Sequence, residues 1–259
     1  YEHPPERVSA FLKYIPAHLQ PCFPLRFIKR RWKQGSVELL RPEKLYSAKN
    51  FQKLTEIFRR DFPEYINFCP FHQKELISPL KSLIKTVYVP NQRLTALFKK
   101  KRRDRLQELA VGIVSLLSAE SGVPRGDFGL HGSIALNMHT AESDIDLVVY
   151  GAKNFRRLEA TINRLFKEGE LDAARKNRGE YKGKVFVYNA VRKHGEVKVK
   201  YGDYKCAPIA PISFRCRVED DSEAMFRPAV YQIGDYQPLD SASRLEKTEN
   251  PKTVVSMIG

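Results

Sequence analysis

No stretch of this 259-residue chain approaches the roughly 20 consecutive apolar residues that a membrane-spanning helix requires. The most apolar run, Leu109 to Leu117, is too short. No secretory signal precedes the first predicted element, so a cytoplasmic location is expected. Cysteine is scarce and scattered, at Cys22, Cys69, Cys206 and Cys216. Paired CxxC spacing is missing, which argues against a structural zinc site and against a disulfide scaffold. Cys69-Pro-Phe-His72 has a ligand-like gap but no second pair. Reduced, mostly packed thiols are expected. Internal repeats are absent as well. The single tryptophan, Trp32, stands among Arg30, Arg31 and Lys33, and is expected in a core with its basic neighbours solvated.

Acid is also in short supply. Thirty Asp and Glu face 45 Lys and Arg, a net charge of +15 that points to a polyanionic partner rather than to any fold. The bases cluster. Arg26, Lys29, Arg30, Arg31 and Lys33 lie near the start, and Lys99-Lys100-Lys101-Arg102-Arg103 with Arg105 form a second run. Nucleic acid is the expected partner, RNA over DNA.

What acid there is includes one arrangement with chemical meaning. Gly132-Ser133 is followed by a ten-residue spacer ending at Ser143 and then Asp144-Ile145-Asp146-Leu147, which opens an apolar run through Tyr150. Alternation along a strand points Asp144 and Asp146 to the same side. Two adjacent carboxylates repel unless a cation lies between them. Oxygen-only ligands select hard ions such as Mg²⁺. A Gly-Ser turn before a short helix offers N–H groups and a hydroxyl to phosphate. Together these features predict phosphoryl or nucleotidyl transfer.

The Gly-Ser pair, the spacer and the Asp-x-Asp leading into a buried strand resemble the signature of the polymerase-β-like nucleotidyltransferase superfamily. Ser143-Asp144-Ile145-Asp146-Leu147-Val148-Val149 is close to the form found in small prokaryotic nucleotidyltransferases and tRNA CCA-adding enzymes. The resemblance covers about residues 103 to 203. It departs from the common Gly-Ser-x-Ala-Arg-Gly in having Leu136 and Asn137 where Arg and Gly are usual. It implies an NTP substrate, Mg²⁺ or Mn²⁺ at Asp144 and Asp146, β- and γ-phosphates held by Gly132 and Ser133, and a third acid on a later strand. Two further readings share these residues: a non-catalytic nucleic-acid-binding protein on the same scaffold, and a protein-modifying, antitoxin-like nucleotidyltransferase. His131 and His139 flank the motif and are expected to be structural or substrate-adjacent, since Mg²⁺ prefers oxygen.

The surrounding pattern is expected to be α+β. Leu106, Leu109, Ile113, Leu116 and Leu117 predict an amphipathic helix over about 103–119. A short strand over 127–131, one helical turn after Gly132, and a strand over 145–150 follow. Phe155, Leu158, Ile162, Leu165 and Phe166 predict a second helix over about 153–168, with Arg156, Arg157, Arg164 and Lys167 on its other face. A hairpin is expected from 184–191 and 196–201. On that second strand Glu196 would be the third metal ligand, with Asp203 as its rival, and Lys198 would contact phosphate. Residues 1–98 are expected to form a basic, mainly helical module, with helices near 51–60 and 76–85, and 99–203 a catalytic domain. Residues 204–259 should form a small β-rich segment, with strands over 212–218 and 226–233 joined by a turn at Asp220-Asp221-Ser222.

Overall fold

A computed structural model of the chain describes residues 3–44, 47–207, 210–245 and 251–256. They divide into two compact units, one of residues 1–87 with 197–208, the other of 88–196 with 209–259. The boundaries therefore differ from those expected at 98 and 203. The β-rich C-terminal segment belongs to the same unit as the catalytic motif, and the stretch holding Lys198 does not.

In the first unit β1 (Ile15–Pro16), β2 (Trp32–Gln34) and β3 (Val37–Leu40) form an antiparallel sheet in the order β1-β3-β2. Helix α1 (Ala48–Asp61) follows, and its Ser47 side chain accepts from the Asn50 N–H as an N-cap. Next come β4 (Ile66–Cys69) and β5 (Lys74–Ile77), a hairpin. The helix expected near 76–85 is replaced by β5 and a 3-10 turn at Lys81–Leu83, because Pro79 interrupts the apolar pattern. This module mixes helix and strand around Ile15, Phe23, Leu40, Leu54, Ile57, Phe58 and Ile77. Trp32 is buried, with the Arg30 guanidinium 5.3 Å from its ring centroid. Residues 197–207 belong to this unit, and the Tyr201 ring meets Phe71 edge-on.

The second unit opens with α2 (Pro90–Lys99) and α3 (Arg105–Ser121). Proline at the first turn of α2 costs no hydrogen bond there. Asp104 caps α3 in a reciprocal capping box with Gln107, and Gly122 ends it in the left-handed region at φ 65°. Then follow β6 (Phe128–Leu130), the single turn α4 (Gly132–Ala135), β7 (Ile145–Tyr150), α5 (Ala152–Lys167), β8 (Ala173–Arg175), β9 (Arg178–Tyr181) and β10 (Lys184–Val191). The sheet order is β6-β7-β10-β9-β8, with β7 and β10 parallel and the other neighbours antiparallel. The fold is α+β with a mixed sheet.

One face of this sheet is its core. Ile145, Leu147, Val149, Phe186 and Tyr188 pack with Ile113, Val114 and Leu117 of α3 and Leu158, Ile162 and Leu165 of α5. Burial pushes the Tyr188 phenol up to about 12. The other face is partly covered at β6, where Gly129 lies against Pro90 of α2 and a side chain would collide with it. After β10 the chain makes a 3-10 turn at His194–Glu196 rather than a hairpin. The strand expected over 196–201 is not formed, since β10 is already paired on both edges, by β7 and β9. Finally β11 (Phe214–Glu223), β12 (Ala229–Pro238) and β13 (Thr253–Ser256) form an antiparallel sheet. Asp220-Asp221-Ser222 lies inside β11 at a register irregularity, not in the turn, which falls later.

The α3 cap carries a testable pH signature. Burial raises the Asp104 carboxyl, but hydrogen bonds from His139 and the Gln107 N–H lower it further, so the net shift is downward. Its contribution to stability is therefore full above the ordinary carboxylate range and lost as pH falls through the depressed value. Asp104→Ala should destabilise the protein by about 1 kcal/mol near neutrality. The gap to wild type in urea melts should shrink on acidification.

Candidate functional site

Strand β7 places the two aspartates. Ile145 is fully buried on the helix-covered face, so Asp146 points to the opposite one, and Asp144 immediately precedes the strand. Asp144 is exposed and Asp146 half-buried. The approach is shaped by Ser143, which is 3% exposed. Its hydroxyl accepts from the Thr140 N–H at 3.0 Å, and its own N–H donates to the Thr140 carbonyl at 3.0 Å. That reciprocal pair closes the 140–143 turn and delivers the chain into β7. The Lys184 ammonium donates to the Ala141 carbonyl at 2.7 Å and ties the same turn to the start of β10.

Gly132 faces Asp146 directly. A Cβ on it would collide with the Asp146 carboxylate Oδ2, and its φ of 59° lies in the left-handed region. Both facts demand glycine. The Gly132 N–H donates to His131 Nδ1 at 2.8 Å, and the His131 N–H donates to the Asp146 carbonyl at 2.8 Å. His131 thus locks the Gly-Ser turn to the aspartate strand. The Met138 N–H donates to the Ser133 carbonyl at 2.8 Å, which leaves the Ser133 hydroxyl as the side-chain donor of the pair. Asn137, where the family pattern has glycine, has φ 55°, a region that asparagine tolerates best after glycine. Arg93 of α2 donates to its side-chain oxygen at 2.9 Å. His139 Nε2 lies 2.9 Å from Asp104 Oδ2, so this histidine joins the loop to the α3 cap.

The expected third acid is elsewhere in its bonding. Glu196 Oε1 accepts from the Ala152 N–H at 2.9 Å, and Oε2 from the Lys193 N–H at 2.8 Å. It caps the first turn of α5, whose Gly151 has no side chain to do so. Asp203 accepts from the Lys200 N–H at 2.7 Å and belongs to the first unit, as does the exposed Lys198. Among the described residues no group of three or more His, Cys, Asp or Glu is disposed to hold a metal ion. The set Asp144, Asp146 and Glu196 is therefore not assembled. On the aspartate face β10 presents Val185, Val187 and Asn189 instead of an acid. The carboxylate sharing that face is Glu180 of β9, in register with Val185.

The chemistry of two carboxylates still suits a hard cation. Mg²⁺ commonly takes one or two protein carboxylates and completes its shell with water and substrate phosphates. The missing Cβ at Gly132 is what lets the Asp146 carboxylate lie against the Gly-Ser turn.

Residues 113–199 match the nucleotidyltransferase domain family, a span that holds Gly132, Ser133, Asp144 and Asp146. The chain carries a nucleotidyltransferase domain. An uncharacterized protein of Methanocaldococcus jannaschii is 21% identical to it, over 93% of this chain and 77% of that one. No solved structure matches.

Sequence reasoning missed β8 and β9, and with them Arg175, Arg178 and Glu180. The signal was there in weak form. Lys182-Gly183 joins β9 to β10 with both residues at positive φ, 50° and 71°, the geometry of a two-residue hairpin turn. Asn177 at φ 58° turns β8 into β9.

Two substitutions separate the glycine from the glutamate. Gly132→Ala should cost about 1–3 kcal/mol for the left-handed backbone. It should also weaken Mn²⁺ binding, read by calorimetry, because Asp146 must move. Glu196→Ala should cost about 1 kcal/mol as a lost cap. Its Mn²⁺ affinity should stay at the wild-type value; a loss there would return Glu196 to the metal site.

Proposed function

We propose that this domain transfers a nucleoside monophosphate from an NTP to an acceptor hydroxyl, on RNA, with release of pyrophosphate. One observation carries the reading: Asp146 stands on the face of β7 opposite the helices, two residues after the exposed Asp144, with the Cβ-less Gly132 against it. Mg²⁺ or Mn²⁺ bound at these carboxylates would neutralise charge on the triphosphate and the attacking oxygen. The Gly132-Ser133 turn holds the β- and γ-phosphates, with the Ser133 hydroxyl donating to a phosphate oxygen. The rigid 140–143 turn keeps both carboxylates in place, which matters because phosphoryl chemistry depends on positioning and charge. In the step itself the acceptor oxygen bonds to the α-phosphorus. The bond from that phosphorus to the pyrophosphate oxygen breaks, and the hydroxyl proton passes to solvent. The net charge of +15 favours RNA over protein as the acceptor.

The test is incorporation of label from each α-labelled NTP into RNA and into total protein, with Mg²⁺ or Mn²⁺. Asp146→Ala is expected to reduce incorporation into RNA by about 10²–10³-fold or more, the scale of lost charge stabilisation, with the thermal melt preserved. Full activity in that variant overturns the reading. Label in protein alone moves the acceptor to the protein-modifying class.

A further inference from the structure

Strand pairing in the second unit puts four residues in one lateral row. Asp146 of β7 is in register with Val187 of β10, Val187 with Arg178 of β9, and Arg178 with Arg175 of β8. Residues directly opposite each other on neighbouring strands share a face of the sheet. The core residues agree with this assignment. Gly179, between Arg178 and Glu180, lies under the Phe186 ring, and Tyr181 reaches Gly112 of α3, so the odd positions of β9 face the core. Arg178 and Arg175 therefore stand on the aspartate face, two and three strands from Asp146, about 10 and 14 Å away at ordinary strand spacing.

Both arginines are exposed, and among the described residues neither guanidinium is hydrogen-bonded or ion-paired. Several other arginines of this unit are committed within the fold. Arg103 is spent on carbonyls at the end of α2 and on Glu108, Arg156 on Glu159 and Asp221, and Arg164 on Glu120 and Glu168. The half-buried Val185 and Val187 lie between the carboxylates and the arginines, an apolar strip suited to a sugar or base. Glu180 is on the same face one row away, level with Val185. Sheet order gives the row a direction. Gly132 and Ser133 follow β6, on one side of β7, whereas β10, β9 and β8 lie on the other. An in-line displacement needs its nucleophile opposite the leaving pyrophosphate. Phosphates of the NTP at the Gly-Ser side place the acceptor over β10, β9 and β8.

We propose that Arg178 and Arg175 bind the phosphodiester backbone of a single-stranded RNA acceptor that crosses β8, β9 and β10 and ends at Asp146. This rests on the nucleotidyltransferase reading above for its direction, but the binding site can be tested apart from turnover. Guanidinium is suited to the task, since its planar fork meets phosphate oxygens in pairs.

The experiment follows a fluorescein-labelled single-stranded RNA oligomer by anisotropy across a salt series, with wild type, Arg175→Gln/Arg178→Gln and Lys176→Gln. Lys176 lies in the turn between the arginines and controls for diffuse charge. In the double variant affinity should fall about tenfold or more. The slope of log affinity against log salt should drop by about 1.4, two released counterions at about 0.7 each. Lys176→Gln should stay within about twofold of wild type, and MgATP binding by calorimetry should be unchanged in both. Undiminished RNA affinity in the double variant, an equal loss in Lys176→Gln, or no RNA binding by wild type overturns the inference. RNA binding that needs the arginines without any label transfer keeps this site and removes the transfer reading. Transfer with an unchanged KM for RNA in the double variant does the reverse.

Discussion

Burial of Ile145, Leu147 and Val149 beneath α3 and α5 decides where Asp146 points, and most of the site follows from that. All three are fully buried. Side chains alternate along a strand, so a slip of one residue would carry the aspartates into the core and these apolar groups out of it. Burying a carboxylate among apolar side chains is costly. The core thus enforces the register of β7, the register enforces the carboxylate face, and Gly132 has to be glycine because of where that carboxylate lands. The same register, read across β10, β9 and β8, brings Arg178 and Arg175 into line.

The strong local signals were legible in the sequence because each is a short-range pattern. Helix α3 repeats apolar residues at helical spacing between an Asp cap and a terminal glycine, and α5 repeats them after a glycine. Gly-Ser and Asp-x-Asp lie within sixteen residues of each other and carry their own geometry. What was not legible is pairing. The alternation of Val197, Val199 and Tyr201 suits a strand, but β10 has no free edge for it to join. Those residues belong to the first unit, where Tyr201 meets Phe71 and Cys69. The reverse error explains β8 and β9. They are short, basic and poor in β-branched residues, and they hold as strands because β10 offers an edge and Asn177 and Lys182-Gly183 make the turns.

Charge separates in the same way once the fold is known. The run at 99–105 looks uniform in sequence, yet its members differ in use. Arg103 donates to the carbonyls of Leu97, Phe98 and Lys100, satisfying groups that the end of α2 leaves open, and Lys100 donates to Gln107. Lys99, Lys101, Arg102 and Arg105 stay exposed. A count of bases predicts polyanion binding but cannot distinguish a helix cap from a phosphate contact.

Glu196 shows why a carboxylate in the right stretch of sequence can still be the wrong one. Helix α5 begins at Ala152 after a glycine at φ 99°, so its first N–H groups lack a side-chain acceptor from the usual N-cap position. The 3-10 turn at His194–Glu196 returns the chain to that helix end, and Glu196 supplies the acceptor from 44 residues away. Its second oxygen closes the turn on the Lys193 N–H, and the Lys193 ammonium meets Asp127 at 2.6 Å. A carboxylate with both oxygens committed to backbone donors at a helix N-terminus is held there by charge as well as by hydrogen bonds. Drawing it toward a cation would leave that helix end without its acceptor. Glu180, by contrast, shares the aspartate face but stands two strands from Asp146 and one row along, so sharing a face does not by itself bring a carboxylate to the site.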